Sequence, residues 1–195
     1  MLMKTAIEEI LKNIELATDY IEESTISNFL DVITKSNNIF VIGAGRSGLV
    51  AKAFAMRLMH LGIGTYVVGE TISPAISEDD SILAISGSGE TNTIVSAVRI
   101  AKDRGSKVLV LTSYPESTLG SLADSILLVK GRTKVDIDNE DYIKRQIDGN
   151  YTSLTPLGTA FELTSLIFLD GLISELMHKM GKTENDLKNR HTVLE

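Results

Sequence analysis

Ser86-Gly87-Ser88-Gly89-Glu90-Thr91 packs three hydroxyl side chains and two glycines into six residues. It follows an apolar run, Ser81 to Ile85, that reads as a buried strand, and precedes a helical pattern, Thr93 to Lys102. A strand, a small-residue loop and a helix start form the geometry that holds a phosphate. Glycines let the backbone approach the anion, and free N–H groups with the helix dipole attract it. The loop has no lysine and no Gly-Lys-Ser/Thr, so it is not a Walker A loop and suits a phosphate monoester better than a nucleoside triphosphate. Capping a helix needs one hydroxyl, and three exceed that need. A second glycine loop, Gly43-Ala44-Gly45-Arg46-Ser47-Gly48, follows the apolar run Ile39 to Ile42 and precedes a helix expected over Leu49 to Leu61. It matches G-x-G-x-x-G, the dinucleotide fingerprint, and Glu70 follows the next strand, Thr65 to Val68, where a ribose-binding acid would sit. A dinucleotide leaves the Ser86–Thr91 loop unexplained. One small phosphorylated ligand bridging both loops accounts for both.

Glu162 supplies a different chemistry. Thr155 as cap and Pro156 in the first turn predict a long helix from Pro156 to about Met180, stopped by Gly181. Glu162, Leu166, Leu169 and Ile173 fall on one stripe, so one carboxylate shares an apolar face. With this start Glu162 lies beyond the first turn, and the dipole does not explain it. A buried, unpaired carboxylate has a raised pKa and is a candidate general base; a satisfied buried acid is the alternative. Of the three histidines, His60 falls in the last turn of its helix, where the dipole favours an imidazolium, and reads as structural. His178 reads as a surface residue. His191 lies in the C-terminal tail, inert on composition alone. No histidine pair has metal-ligand spacing, so no metal is expected.

The elements that must position these groups alternate. Strands at 39–42, 65–68, 81–85, 108–111 and 125–129 alternate with helices, which implies a parallel sheet covered on both faces, with ligands at the strands' carboxyl ends. Two amphipathic helices, Lys4 to Glu23 and Thr25 to Lys35, form an N-terminal arm that covers either its own domain or a partner subunit. Gly131 to Ser153 is charged and turn-rich, a lid or a solvated excursion. The expectation is one domain, with the arm over 1–36, the α/β core over 37–130, the charged loop over 131–153 and C-terminal helices and tail over 154–195. The 195 residues, 43% apolar and 23% charged, suit such a core. A net charge of −7 without a basic patch argues against nucleic acid as partner. The lack of cysteine excludes disulfides and thiolate chemistry. No signal h-region or membrane-spanning run is evident, so the expected location is the cytoplasm.

Val41–Gly48, the run Phe54-Ala55-Met56-Arg57-Leu58-Met59-His60-Leu61-Gly62, Val68–Thr71 and Ile85–Thr91 resemble the sugar isomerase (SIS) domain, and more narrowly the 6-phospho-3-hexuloisomerases. Thr155–Glu162 and Arg190-His191 extend the likeness to essentially the whole chain. The resemblance implies a three-layer α/β/α sandwich, with a five-stranded parallel sheet of flavodoxin-like topology and an N-terminal helical arm. It implies interconversion of D-arabino-hex-3-ulose 6-phosphate and D-fructose 6-phosphate through a cis-enediolate, without a cofactor. Glu162 would be the base. His191, often from a neighbouring subunit in related isomerases, would handle hydroxyl protons or ring opening. Gly45, Arg46, Ser47, Ser86, Gly87, Ser88, Gly89, Glu90 and Thr91 would bind substrate. A homo-oligomer is implied, a tetramer before a dimer, working beside hexulose-phosphate synthase in the ribulose monophosphate route. Competing expectations are another SIS isomerase, such as arabinose 5-phosphate isomerase, and a sugar-phosphate sensor that binds without turnover. The first usually carries nucleotide-sensing repeats and the second a DNA-binding domain, and neither is expected here.

Overall fold

The computed structural model describes residues 1–131 and 154–191. The expected lid therefore lies outside the described residues from position 132 onward. The strands are β1 (Asn38–Gly43), β2 (Gly64–Val67), β3 (Ser81–Ile85), β4 (Lys107–Thr112) and β5 (Ser125–Leu128). All pairs are parallel, and the spatial order is β2-β1-β3-β4-β5. Parallel strands covered on both faces become continuous apolar runs, and β3 is buried at every position.

Alternate strand residues feed two cores. Ile39, Val41, Leu83, Ile85, Leu109 and Leu111 point to one face. There they meet α2 (Glu23–Lys35), α3 (Arg46–Leu61) and α6 (Thr159–Met180) through Phe29, Phe54 and Phe161. Phe40, Ile82, Ala84, Val108 and Val110 point to the other, against α4 (Asn92–Asp103) and α5 (Thr118–Leu122). Among the described residues, no helix is long and apolar enough to cross a membrane.

The N-terminal arm covers its own core. Phe29, Leu30 and Ile33 of α2 are buried, and Asp31 at its middle accepts from Lys179 of α6 at 2.5 Å and from Lys35 at 2.8 Å. These two ammonium groups hold the Asp31 carboxyl at about 2. The first helix, α1 (Leu2–Thr18), buries only Ala17 and lies against α6, leaving Met3, Ile7 and Leu11 exposed.

Polar ties gather at the amino ends of the strands. Asp80 is 4% exposed, just before β3. It accepts from the Asn38 side-chain amide at 2.8 Å and from the Ser77 N–H and hydroxyl at 2.9 and 2.7 Å. Burial pushes its carboxyl up, but these donors outweigh burial and leave it below the usual carboxylate range. The Ser106 hydroxyl closes the set on the Ser77 carbonyl at 2.6 Å.

Two helix starts differ from expectation. α3 begins at Arg46 instead of Leu49, because Gly45 at φ 59° turns the chain and caps the helix at once. Ser47 and Gly48 thus lie inside the first turn. α6 begins at Thr159 instead of Pro156, because Gly158 at φ 87° is its cap and Pro156 belongs to the preceding turn, accepting from the Thr159 N–H at 3.1 Å. The short α5 was not anticipated; its signal is Ser117, whose hydroxyl caps it by accepting from the Gly120 N–H.

Candidate active site

The strand order reverses between β1 and β3. From β1 the chain crosses outward to β2, and from β3 it crosses the other way to β4, so the two loops part and leave a crevice between them. Gly43, at the end of β1, sits in register with Ile85, at the end of β3. The two glycine loops predicted from sequence therefore emerge side by side.

In the first loop, Gly43 and Gly48 permit a close approach of strand and helix. A Cβ on Gly43 would lie 2.5 Å from the Ser47 carbonyl oxygen, and one on Gly48 would lie 2.9 Å from that of Gly43. Gly45 faces open space, with nothing within 4 Å of where its Cβ would be. α3 has no side-chain cap, so the first-turn N–H groups at Arg46 and Ser47 suit an anion.

The second loop is folded tightly onto β4 and its sequel. The Ser86 N–H donates to Leu111 and the Ser113 N–H to Gly87, at 3.0 and 3.1 Å. Gly89, at φ 67°, lies so close to Ser117 that a Cβ would come within 1.9 Å of its hydroxyl oxygen. Ser86 and Thr91 hydroxyls are 3.3 Å apart, and the Ser88 hydroxyl accepts from the Glu90 N–H at 3.3 Å. α4 also starts without a side-chain cap. Glu90 has a definite task within the protein. Its carboxylate accepts from the Thr118 N–H and hydroxyl, both at 2.7 Å, and these bonds hold its pKa below the usual value, the backbone donor foremost. Glu90 thereby fastens the loop to the start of α5.

Glu162 arrives from a third direction. It lies in the first turn of α6, not beyond it, and its N–H donates to Gly158 at 2.9 Å. Nor is it unpaired: Arg46 Nε donates to Glu162 Oε2, joining the first turns of α3 and α6. Its side chain is 13% exposed, against 61% for Arg46. Dipole and guanidinium together explain a carboxylate on this stripe. So Arg46, Ser47 and Glu162 share one end of α3, beside the first glycine loop. Residues 46 and 162 are 116 apart in sequence, and no local signal announces their contact.

His191 is not brought there. Its ring stacks on His60, with centroids 4.4 Å apart, at the other end of α3. His60 lies fourteen helical steps after Arg46, about 21 Å along the axis. The expectation of a dipole-favoured imidazolium at His60 also fails. His60 is 3% exposed, and burial first, then His191 and Arg57, push its pKa down. His178 is exposed, as expected. Glu70, the candidate ribose acid, is engaged by Lys52 at 2.6 Å. Among the described residues, no three of His, Asp or Glu gather as metal ligands.

Known proteins share this fold. The SIS domain model matches residues 32–139. A Bacillus subtilis protein named 3-hexulose-6-phosphate isomerase is 38% identical over 195 residues, covering 99% of this chain and 100% of that one. A Methylomonas aminofaciens protein of the same name is 36% identical over 166 residues, 85% of each chain. The crystal structure of a Methanococcus jannaschii protein, for which a molecular function of 3-hexulose-6-phosphate isomerase has been inferred, superposes with a TM-score of 0.80. It is 30% identical and covers 97% of this chain and 98% of that one. Matched by the family model over more than half its length and by relatives along nearly all of it, the chain belongs to the SIS domain family.

Proposed function

We propose that the protein is a 6-phospho-3-hexuloisomerase, interconverting D-arabino-hex-3-ulose 6-phosphate and D-fructose 6-phosphate. The observation that carries the reading is a carboxylate, Glu162, held by Arg46 at the uncapped start of α3, whose glycine loop emerges beside a second one. Ser47, Ser86, Ser88 and Thr91, with the N–H groups of Gly45 and Gly87, receive the phosphate. Glu90 acts by holding the loop in shape.

Glu162 takes the proton from carbon 2 of the 3-ketose. The C–H electrons form the C2–C3 double bond and the carbonyl electrons move to O3. A proton passes from O2 to O3, and Glu162 returns its own proton to C3, leaving the ketone at C2. Arg46 orients the carboxylate and turns a positive charge toward the enediolate. Proton transfer of this kind moves no net electrons and calls for no cofactor. His191 carries the hydroxyl proton, and since it lies at the far end of its own α3, the His191 in each site comes from a second copy. Support for assembly comes from Leu49, Met56 and Met59, which are exposed along α3. Two copies meeting there antiparallel across a two-fold axis bring the end of one α3 beside the start of the other. A tetramer built from such dimers is the proposed state. The enzyme follows hexulose-phosphate synthase in the ribulose monophosphate route, in the cytoplasm, where its charged substrates are retained.

The test is turnover. Enzymatically generated 3-hexulose 6-phosphate is mixed with the purified protein, and fructose 6-phosphate is followed. Conversion supports the reading. Binding of sugar phosphates without conversion replaces it with a sensor.

A further inference from the structure

His60 is an unexpected occupant of the core. It is 3% exposed in the last turn of α3, and its Nδ1 has no hydrogen-bond partner. A buried polar atom without a partner is unfavourable, and a leucine would fill the space without that penalty. What the imidazole does contact is the His191 ring, 4.4 Å away and tilted by 30°. Everything that leads to His191 is docked on the same end of α3. Helix α7 (Glu184–Lys188) lies against α3, and Leu187 packs on the core. The Arg190 guanidinium covers Gly62, where a Cβ would come within 2.8 Å of it. The His191 N–H donates to Lys188 at 3.1 Å. Backbone and ring of His191 are thus both held, while the residue itself is exposed.

We propose that His60 is a positioning residue for the reaction, its buried ring being the platform that holds the His191 imidazole in the orientation presented to the active site of a second copy. The inference rests on the reading of His191 as the hydroxyl-proton carrier. The surroundings favour a platform that stays neutral. Arg57 faces His60 from α3, with Asp170 of α6 at 3.9 Å from that guanidinium. Arg190 and His191 face it from the C-terminal segment, and Asp186 of α7 interacts with Arg190. A neutral aromatic face accepts a neighbouring imidazole whether that neighbour is neutral or protonated. Such a platform serves a residue that gains and loses a proton in each cycle. Because burial lowers the His60 pKa, its contribution to docking is complete above the ordinary imidazole value. It weakens as pH falls below that value toward the lower one of the folded protein.

The experiment compares full-length wild type, His60→Leu and His60→Phe, each alone and combined with His191→Ala. Wild-type turnover and His191→Ala are measured first. No turnover, or a His191→Ala variant with wild-type kcat, refutes the assignment of His191 and takes this inference with it, a failure seen before any His60 variant is made. If the platform is real, His60→Leu lowers kcat about tenfold or more with KM within about twofold. His60→Phe keeps kcat within about threefold, and in the His191→Ala background His60→Leu costs nothing more. The His191 ring protons show an upfield ring-current shift in wild type and His60→Phe, lost in His60→Leu. A His60→Leu variant with wild-type kcat overturns the proposal, as does an undiminished loss in the His191→Ala background. If His60→Leu does not fold, a folded His60→Phe variant that has lost tenfold in kcat overturns it equally.

Discussion

Glu162→Gln separates chemistry from stability. Glutamine keeps the size of the side chain and leaves a carbonyl oxygen for Arg46 Nε, but cannot carry the substrate proton. A positioned general base contributes roughly 10²–10⁴ in rate, which is about 2.7–5.4 kcal/mol of barrier at about 1.36 kcal/mol per decade. The cost to the fold is smaller. Arg46 is 61% exposed, so the ion pair is largely screened and contributes about 1 kcal/mol or less. Loss of a negative charge from the first turn of α6 adds about 0.3–1 kcal/mol. For a chain of this size the two together lower Tm by at most about 8 °C. The assay is initial-rate formation of fructose 6-phosphate, beside calorimetric melting and equilibrium binding of a hexitol 6-phosphate, which has no carbonyl to isomerise. The expected outcome is kcat down by at least about 10²-fold with binding retained. A variant keeping more than about a tenth of wild-type kcat would remove Glu162 from the role of base. A fall in Tm beyond about 15 °C would show that its role is structural.

Gly89→Ala forces an alanine into a left-handed backbone and drives its methyl onto the Ser117 hydroxyl. The expected cost is about 2–3 kcal/mol, read as a lower Tm and a KM raised at least about tenfold; an unchanged KM would refute the loop's part in phosphate binding. Asp80→Ala strands the donors of Asn38 and Ser77 at a buried site and should cost about 3 kcal/mol, or about 6–12 °C in Tm, with kcat unchanged. Because the Asp80 pKa is lowered in the fold, its stabilisation is present above the ordinary carboxylate value, about 3.9, and is lost as pH falls through its lower folded value. The gap between variant and wild type should therefore close at acid pH, and a gap constant down to about pH 3 would refute the account.

The strands were readable because parallel strands buried on both faces become unbroken apolar runs, as Ile82–Ile85 and Val108–Leu111 show. The two glycine loops were readable because each joins a strand end to a helix start, and the alternation of elements puts both at one edge. The helix starts were misplaced where a glycine in the left-handed region outcompeted a conventional cap: Gly158 over Thr155, and Gly45 over the whole Gly43–Gly48 loop. The pairings that give site residues their character were not readable. Arg46 meets Glu162, Glu90 meets Thr118 and His60 meets His191 across long stretches of chain, and no periodicity carries that information. Glu162 was found as an oddity on an apolar stripe, but its partner and the dipole that accommodate it belong to tertiary structure.

The two edges of the sheet divide the labour of the molecule. At the amino edge, Asn38, Ser77, Asp80 and Ser106 tie strands and connections together, and those ties point away from the crevice. At the carboxyl edge, the starts of α3 and α4 carry no side-chain cap, and the proposed phosphate site lies there. Variation along a strand should thus change phenotype with height: substitutions low in the sheet lower abundance and melting temperature and spare each surviving molecule's rate. Substitutions high in the sheet leave abundance intact and slow the rate. A population screen that scores protein level and turnover separately would recover the orientation of the sheet from phenotypes alone.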